Sequence, residues 1–292
     1  LKVDIFIIEL LQLNMNKPIV IIRTDGSNEI GLGHIYRSKS LANEFKLNGY
    51  SVHFITSHNF NSVLKNSGKC HIVKSSLENE IKLIKKIKPQ LFVLDILYKF
   101  FPYGGKYFLQ VQKICNKLTA IDYVSNNLKY FDLSFHSLFG PKNFKAKKTF
   151  YDLKYSIVSN SFKKESSNFK IKKNVSSIII LCGGADTNCF CPKILRSLND
   201  LNSEIKINLV LGKKFTCWSQ LKKEKNNLKR EIEIFHNLKN LEFIMKKNQI
   251  AITAAGVTMT ELLTIGIPSL IIYGDLHEKE AAELVHKNNV SV

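Results

Sequence analysis

The hydrophobic positions of this chain fall into short continuous runs that alternate with stretches of helical periodicity. Residues 18–23 (PIVIIR) form a β-branched run, typical of a parallel strand that is covered on both faces. The helix predicted after it carries Ile35, Ala42 and Phe45 on one side, and Gly49 follows where a helix is expected to end. This succession predicts a β/α/β unit.

The same alternation continues to the end of the chain. Further strands are predicted at residues 51–56, 91–95, 118–122, 175–181, 205–211, 232–235, 250–254 and 268–273. Helices are predicted at residues 77–88, 107–116, from 191 onward, at 238–246 and at 258–265. Strands that alternate with helices favour parallel sheets, so the predicted fold class is α/β.

A polar, Ser- and Lys-rich segment without periodicity interrupts the pattern at residues 159–173. Such composition is typical of an interdomain linker. We therefore predict an N-terminal Rossmann-like domain at 15–158, the linker at 159–173, and a C-terminal Rossmann-like domain at 174–292. Two such domains facing a cleft is the expected architecture.

The chain has 292 residues and a formal net charge of +19, carried almost entirely by lysine. Nucleic-acid readers rely on arginine, whose planar fork pairs with phosphate and guanine, and the lysines here are scattered among many asparagines. A compositional origin is therefore favoured over a polyanion-binding surface, and we expect no nucleic-acid partner.

Two further features bear on the cellular context. The N-terminal apolar run is interrupted by Asp4 and Glu9, so neither a signal peptide nor a membrane span is predicted, and residues 1–14 can belong to an upstream segment. Six cysteines lack any CxxC pair, so we expect free thiols, no zinc site and no other metal. The expectation is a cytoplasmic monomer without stable membrane insertion.

The first strand–helix connection carries Gly31-x-Gly33-His34. Glycines let the backbone approach a ligand, and a helix N-terminus offers free N–H groups to an anion. The motif is neither a dinucleotide fingerprint nor a phosphate-binding Walker loop, because the third glycine and the Lys-Ser/Thr ending are missing. An imidazole in the first helical turn is kept neutral by the helix dipole, so His34 is the candidate general base.

Acidic residues follow three strands of the first domain. Asp25, Asp95 and Asp122 stand at the carboxyl ends of strands, the edge where open α/β sheets bind ligands. Each is a candidate for substrate binding, or for capping a helix or turn.

In the second domain, Gly183 and Gly184 follow a strand and precede a helix, which suits a pyrophosphate. The stretch 253–261 (TAAGVTMTE) places Gly256 and Thr258 at a helix N-terminus, suited to phosphate oxygens. Glu261 can either complete a capping box or accept hydrogen bonds from ribose hydroxyls.

Together these segments resemble one family, the UDP-2,4-diacetamido-2,4,6-trideoxy-β-L-altropyranose hydrolases of pseudaminic acid biosynthesis. The most specific part is residues 23–37 (RTDGSNEIGLGHIYR), and CGGAD at 182–186 and TAAGVTMTELLTIGIP at 253–268 match in order. The resemblance runs over about residues 17–292. It implies the GT-B architecture that this family shares with the transferase adding N-acetylglucosamine to lipid I.

The resemblance also implies a mechanism. Water attacks C1 of the sugar, UDP leaves with inversion, and no metal or cofactor is needed. His34 is then the base or water-orienting group, and the C-terminal domain binds UDP. The implied UDP-binding residues are Gly183, Gly184, Ala255, Gly256, Thr258 and Glu261; the substrate-binding residues are Arg23, Asp25, Gly31, Gly33, Arg37, Asp95, Asp122 and His277.

Two departures concern the sugar. The family's Asp-His-Tyr run is replaced by Asp95-Ile96-Leu97, with Tyr98 one place late, and its Asn-Gln pair by Leu276-His277. A UDP-sugar-dependent glycosyltransferase is therefore the principal alternative, with an acceptor alcohol in place of water. A sugar-nucleotide binder without catalysis and a polyanion-binding protein are further alternatives.

Overall fold

The computed structural model describes residues 17–27, 31–74, 76–138, 140–166, 169–171, 173–200 and 204–287, with His277 described only as part of its helix. The chain divides into two compact units, and the division falls between Ile157 and Val158. Within the described residues, no helix is both long and apolar enough to cross a membrane.

The N-terminal unit is built on a seven-stranded sheet. Its strands are β1 (Ile19–Thr24), β2 (Ser51–Thr56), β3 (Lys69–Ile72), β4 (Leu91–Asp95), β5 (Lys117–Ile121), β6 (Leu133–His136) and β7 (Lys148–Tyr151). Its α-helices are α1 (Gly33–Leu47), α2 (Asn61–Leu64), α3 (Leu77–Ile87) and α4 (Gly105–Gln112). Short 3₁₀ turns lie at Tyr98–Phe100, Asn126–Tyr130 and Leu153–Tyr155.

All strand pairs of this sheet are parallel, in the order β3-β2-β1-β4-β5-β6-β7. The order reverses between β1 and β4, where Thr24 pairs with Asp95. Side chains of alternating sheet positions pack into two apolar clusters, one including Ile22 and Phe45 and the other Ile21 and Phe92. Both faces of the sheet are thus covered, as the continuous β-branched runs predict.

The C-terminal unit contains a five-stranded sheet. Its strands are β8 (Ser177–Leu181), β9 (Lys206–Leu211), β10 (Ile232–His236), β11 (Ile250–Ala254) and β12 (Ser269–Ile272). Its helices are α5 (Asn160–Glu165), α6 (Phe190–Asn199), α7 (Trp218–Asn227), α8 (Leu241–Met245), α9 (Val257–Ile265) and α10 (Leu276–Lys287). The strands are parallel in the order β10-β9-β8-β11-β12, again a Rossmann-type order with its reversal between β8 and β11.

The expected linker at 159–173 differs from the structure in its first half. Residues 160–165 form α5, whose N-cap Ser159 accepts a hydrogen bond from the Ser161 backbone. Phe162 is buried in the same apolar cluster as Leu262 and Met245, so α5 belongs to the folded C-terminal unit. Phe162 is the only large apolar residue in SFKKE, and one such residue shows no periodicity in the sequence.

The expectation of free thiols is wrong for one pair. Cys189 and Cys217 form a disulfide, with 28 residues of sequence separation. They stand at the N-caps of α6 and α7, which are adjacent because β8 and β9 are neighbours. Cysteine spacing along the chain gives no sign of this proximity. The other cysteines, Cys70, Cys115, Cys182 and Cys191, are free.

Candidate functional site

His34 lies where β1 gives way to α1. The helix begins at Gly33, so the imidazole stands in its first turn, and its side chain is 13% exposed. Gly31 adopts a left-handed φ of 75° that other residues avoid, and it forms an isolated bridge to Ser27 that closes the loop. The loop geometry therefore brings the imidazole to the carboxyl edge of the sheet, beside the strand-order reversal.

Asp95 orients this imidazole. It ends β4, the strand next to β1, and its Oδ1 lies 2.8 Å from Nδ1 of His34. Burial acts to raise the pKa of Asp95, but the Arg37 cation and the His34 contact hold that pKa well below its usual range. An ionised carboxylate only accepts hydrogen bonds, so Nδ1 carries a proton, and in a neutral imidazole Nε2 is then the acceptor.

Arg37 holds the carboxylate in turn. It follows His34 by three positions on α1, so both side chains lie on one helix face. Its guanidinium donates to both oxygens of Asp95, at 2.5 and 3.2 Å, and also to Oδ2 of Asp122. Burial acts to lower the pKa of Arg37, but the two carboxylates raise it above its ordinary value. The side chain is 4% exposed, so its contacts are internal.

Asp122 anchors the other end of this network. It follows β5 with a φ of 46°, and its Oδ1 accepts hydrogen bonds from the backbone N–H groups of Ser137 and Leu138, at 2.8 and 3.1 Å. With all of these bonds inside the protein, Asp122 is placed to position Arg37 and not to contact a ligand directly.

The charges of this network favour a proton-accepting imidazole. The Arg37 guanidinium is shared between the carboxyl groups of Asp95 and Asp122. A proton gained at Nε2 creates an imidazolium whose charge Asp95 stabilises at hydrogen-bond distance. The Arg37 guanidinium also lies 3.3 Å from Nδ1 of His34.

Ser38 is a member of the network that the sequence analysis missed. Its hydroxyl donates to Oδ2 of Asp95 at 2.9 Å. It lies four positions after His34 on α1, so helical spacing alone predicts that it shares the imidazole's face. Glu80 is a second residue that the sequence analysis missed. It contacts Arg23 of β1 from helix α3, so no local sequence motif indicates the contact.

Arg23 and Asp25 form a separate buried network. Arg23 is fully buried and donates to Glu80 at 3.0 Å and to Asp25 at 2.9 Å, while Tyr107 donates to Glu80 at 2.6 Å. Asp25 also accepts the Ser57 backbone N–H at 2.9 Å. Arg23 is therefore an internal residue that positions Asp25. Its side chain has no exposed surface that a substrate could contact.

In the C-terminal unit, the turn after β8 brings Gly183 and Gly184 to the carboxyl edge of the sheet. Gly183 has a left-handed φ of 77°. A Cβ on Gly212 would lie 2.4 Å from the Gly184 carbonyl oxygen, so the turns after β8 and β9 are packed backbone to backbone. Asp186 then accepts the N–H groups of Phe190 and Cys191 and caps α6. This packing gives the turn a defined shape.

Residues 255–256 connect β11 to α9, and β11 lies next to β8 in the sheet. Gly256 is the N-cap of α9, and within the part of the chain that the structure describes no side-chain hydrogen bond caps this end of the helix. The predicted residues Ala255, Gly256 and Thr258 are thus together at a helix N-terminus, whose backbone N–H groups can bind an anion.

Glu261 lies one turn into α9 and is half-buried. Burial, and secondarily the nearby Glu242, raise the pKa of Glu261 to about 8. Among the described residues none forms a hydrogen bond or ion pair with its carboxyl group. It is not the distal acid of a capping box, because Gly256 has no side chain to complete one. His277 is the second residue of α10, and its side chain is outside the part that the structure describes.

Sequence comparison finds two relatives. The chain is 34% identical over 282 residues to the uncharacterized protein MJ1062 of Methanocaldococcus jannaschii, which covers 89% of this chain. The chain spans 57% of the length of that relative. It is 22% identical over 277 residues to the spore coat polysaccharide biosynthesis protein SpsG of Bacillus subtilis, covering 90% of this chain and 79% of SpsG. No family model matches the sequence.

Solved structures resemble the chain over nearly its whole length. MurG of Acinetobacter baumannii superposes with a TM-score of 0.68 at 13% identity, over 94% of this chain and 85% of MurG. A glycosyltransferase of Rickettsia africae gives 0.59 at 12% identity, over 94% and 89%. UGT2 of Phytolacca americana, complexed with UDP-2-fluoro-glucose and pterostilbene, gives 0.60 at 10% identity, over 96% and 86%. The chain therefore has the GT-B fold, with two Rossmann-like domains.

Proposed function

We propose that the protein is an enzyme of glycan biosynthesis that cleaves a UDP-sugar at C1, with water as the nucleophile and His34 as the base. The observation that carries this proposal is the His34–Asp95 pair at the carboxyl edge of the N-terminal sheet, in which Asp95 contacts Nδ1 and Nε2 remains as the ring nitrogen for a base. Helix α1 and strands β1 and β4 hold this pair rigidly, and general bases need such positioning.

The chemistry proceeds as a direct displacement. Water donates a proton to Nε2 of His34 while its oxygen forms a bond to C1. The C1–O bond to the pyrophosphate breaks, and UDP departs with the electron pair. Asp95 stabilises the imidazolium that forms, and attack opposite the leaving group inverts the anomeric centre. Arg37 and Asp122 keep Asp95 in place throughout.

The C-terminal domain supplies the nucleotide site of this proposal. The Gly183–Gly184 turn and the free N-terminus of α9 present backbone N–H groups, which bind a pyrophosphate and stabilise its growing charge as it leaves. Glu261 is placed to hydrogen-bond the ribose hydroxyls. With a pKa of about 8 it is largely neutral at pH 7 in the ligand-free protein, which removes a repulsion toward UDP.

The proposed substrate is a UDP-2,4-diacetamido-2,4,6-trideoxyhexose, the sugar implied by the sequence resemblance of residues 23–37 and 253–268. The similarity to SpsG, a polysaccharide biosynthesis protein, supports a role in the synthesis of a surface glycan. Pseudaminic-type nonulosonic acid synthesis is the pathway class that uses such a sugar. We place the enzyme in the cytoplasm, where activated sugars are made.

A UDP-sugar-dependent glycosyltransferase is the second candidate. It is favoured by the solved neighbours, among them the Rickettsia africae glycosyltransferase and UGT2 with its bound UDP-2-fluoro-glucose and pterostilbene. The same imidazole can deprotonate an acceptor alcohol, so the site residues keep their roles and only the nucleophile changes.

The deciding experiment measures UDP release from a panel of UDP-sugars, including the diacetamido-trideoxy sugar, without an acceptor. A hydrolase releases UDP in plain buffer, and His34→Ala lowers kcat by about 10²–10⁴-fold, the usual contribution of a general base, while UDP affinity is unchanged. UDP binding without release indicates a transferase that lacks its acceptor. Loss of UDP affinity in His34→Ala equal to the loss of kcat would make His34 structural and refute the mechanism.

A further inference from the structure

A group of sulfur and oxygen atoms converges beneath the turn that follows β8. Cys182 directly follows the strand, Asp186 lies within the turn, and Cys191 is in the first turn of α6. The sulfur atoms of both cysteines and a carboxylate oxygen of Asp186 all lie within 4.8 Å of one another. The proposed chemistry at C1 uses none of these three side chains.

The distances suit a small metal ion. Zn²⁺ binds thiolate sulfur at about 2.3 Å and carboxylate oxygen at about 2.0–2.2 Å, so two tetrahedral sulfur ligands lie ~3.8 Å apart. The three residues are 6%, 5% and 1% exposed in chain order, so a bound ion would be shielded from competing solvent ligands. Thiolates select zinc and other borderline-soft cations over Mg²⁺ or Ca²⁺.

The carboxylate is held in place by the backbone. Phe190 N–H donates to Asp186 Oδ1 at 2.7 Å, and Cys191 N–H donates to Oδ2 at 2.9 Å. Carboxylates that bind metals are commonly fixed by such outer hydrogen bonds, which leave lone pairs for the ion.

Cysteine sulfur binds a metal ion as a thiolate. A divalent cation neutralises the charge of two thiolates. Binding therefore displaces two protons, one from each thiol, into solvent.

We propose that Cys182, Asp186 and Cys191 bind one Zn²⁺, with a water molecule as the fourth ligand, and that the ion fixes the shape of the Gly183–Gly184 turn. Each thiol loses its proton, two S–Zn bonds and one O–Zn bond form, and no redox change occurs. Cys189 and Cys217 are not ligands, because they are bonded to each other and tie the same turn to α7. The zinc site does not depend on the proposed reaction.

The test uses the full chain, stripped of metal with a chelator and then titrated with Zn²⁺ and Co²⁺. We expect one equivalent of metal per chain, release of about two protons measured in buffers of different ionisation enthalpy, and a near-ultraviolet thiolate-to-cobalt charge-transfer band. Cys182→Ser and Cys191→Ser should each weaken Zn²⁺ binding by at least about 100-fold and diminish the band.

Cys70→Ser is the matched control, since Cys70 is a free cysteine of the N-terminal unit and should leave the titration unchanged. Circular dichroism before titration identifies any variant that fails to fold. If a serine variant does not fold, the presence or absence of the Co²⁺ band in the wild-type protein decides the proposal. Absence of metal binding by the wild-type protein overturns it. So does unchanged binding in the two serine variants.

UDP affinity, measured with and without Zn²⁺, separates this proposal from the proposed function. Metal binding without UDP binding upholds the zinc site and counts against the UDP-sugar enzyme. UDP binding by a protein that takes up no metal supports the UDP-sugar enzyme and counts against the zinc site.

Discussion

At the scale of single residues, the candidate site is a chain of hydrogen bonds that begins at His34 and ends in the protein interior. Asp95 fixes the imidazole, Arg37 fixes Asp95, and Asp122 fixes Arg37. Each residue can therefore act through the next, so substitutions at different links should affect different measurements.

Asp95→Asn tests the link closest to the imidazole. The amide keeps the shape of the side chain but loses the charge that stabilises an imidazolium and selects the Nδ1–H tautomer. We expect kcat for UDP release to fall about 10²–10⁴-fold, with UDP affinity unchanged. Ser38→Ala removes one hydrogen bond to the same carboxylate and serves as the control, with a smaller loss. A kcat within threefold of wild type in Asp95→Asn would remove Asp95 from the mechanism.

Arg37→Met tests the link in the interior. The substitution leaves two buried carboxylates without their cation, and an uncompensated buried charge costs about 3–5 kcal/mol. We expect the free energy of unfolding, from urea denaturation, to fall by that amount. Arg196→Met is the matched control, because Arg196 is 69% exposed in its ion pair with Glu224 and should cost less than about 1 kcal/mol. Equal losses in both variants would contradict the structural role of Arg37.

At the scale of elements, the candidate functional residues concentrate where strands end and helices begin. The order reversals between β1 and β4 and between β8 and β11 leave the carboxyl edges accessible beside the N-termini of α1 and α9. Parallel strands share one direction, so residues far apart in sequence, such as His34 and Asp95, are brought together at that edge.

Glu261 on α9 makes the stability of the folded protein depend on pH. Its pKa is about 8 in the folded protein against an ordinary value of 4.5. Between these values the folded protein keeps a proton that the unfolded chain has lost, so the contribution of Glu261 to stability declines as pH rises through this window. We expect Glu261→Gln to raise Tm relative to wild type by an amount that grows from pH 5 to pH 8 and then levels off.

Glu283→Gln is the control for this comparison, because Glu283 is an exposed acid on the neighbouring helix α10. Its Tm difference from wild type should stay constant over the same pH range. A constant difference for Glu261→Gln as well would show that burial does not shift the Glu261 titration.

At the scale of the whole molecule, the formal net charge of +19 should affect encounter with the proposed UDP-sugar substrate, whose pyrophosphate is anionic. Scattered lysines create a diffuse positive field, which accelerates association and is screened by salt. We expect kcat/KM for UDP release to fall several-fold between ~50 and ~300 mM NaCl, while kcat changes little. A salt-dependent kcat with constant kcat/KM would exclude steering by the net charge.

Much of the architecture was predictable from the sequence. The strands at 51–56, 91–95 and 250–254 were predicted with the bounds that the structure shows, because buried parallel strands are rich in apolar and β-branched residues. The short edge strand β3 (KCHI) and the strands β6 and β7 were not predicted. Four-residue segments with mixed polarity acquire strand structure from a neighbouring backbone, a contact that their own side chains do not encode.

The sequence by itself determined the parallel α/β class, the placement of His34 behind a glycine loop, and the acids that follow three strands. These are local properties, set by hydrophobic runs and by the conformations glycine allows. Tertiary structure decided that Asp95 orients His34, that Arg23 is buried, that Asp122 anchors Arg37, and that Cys189 pairs with Cys217. Those contacts depend on which strands become neighbours and on their register, and both are settled only when the whole sheet packs.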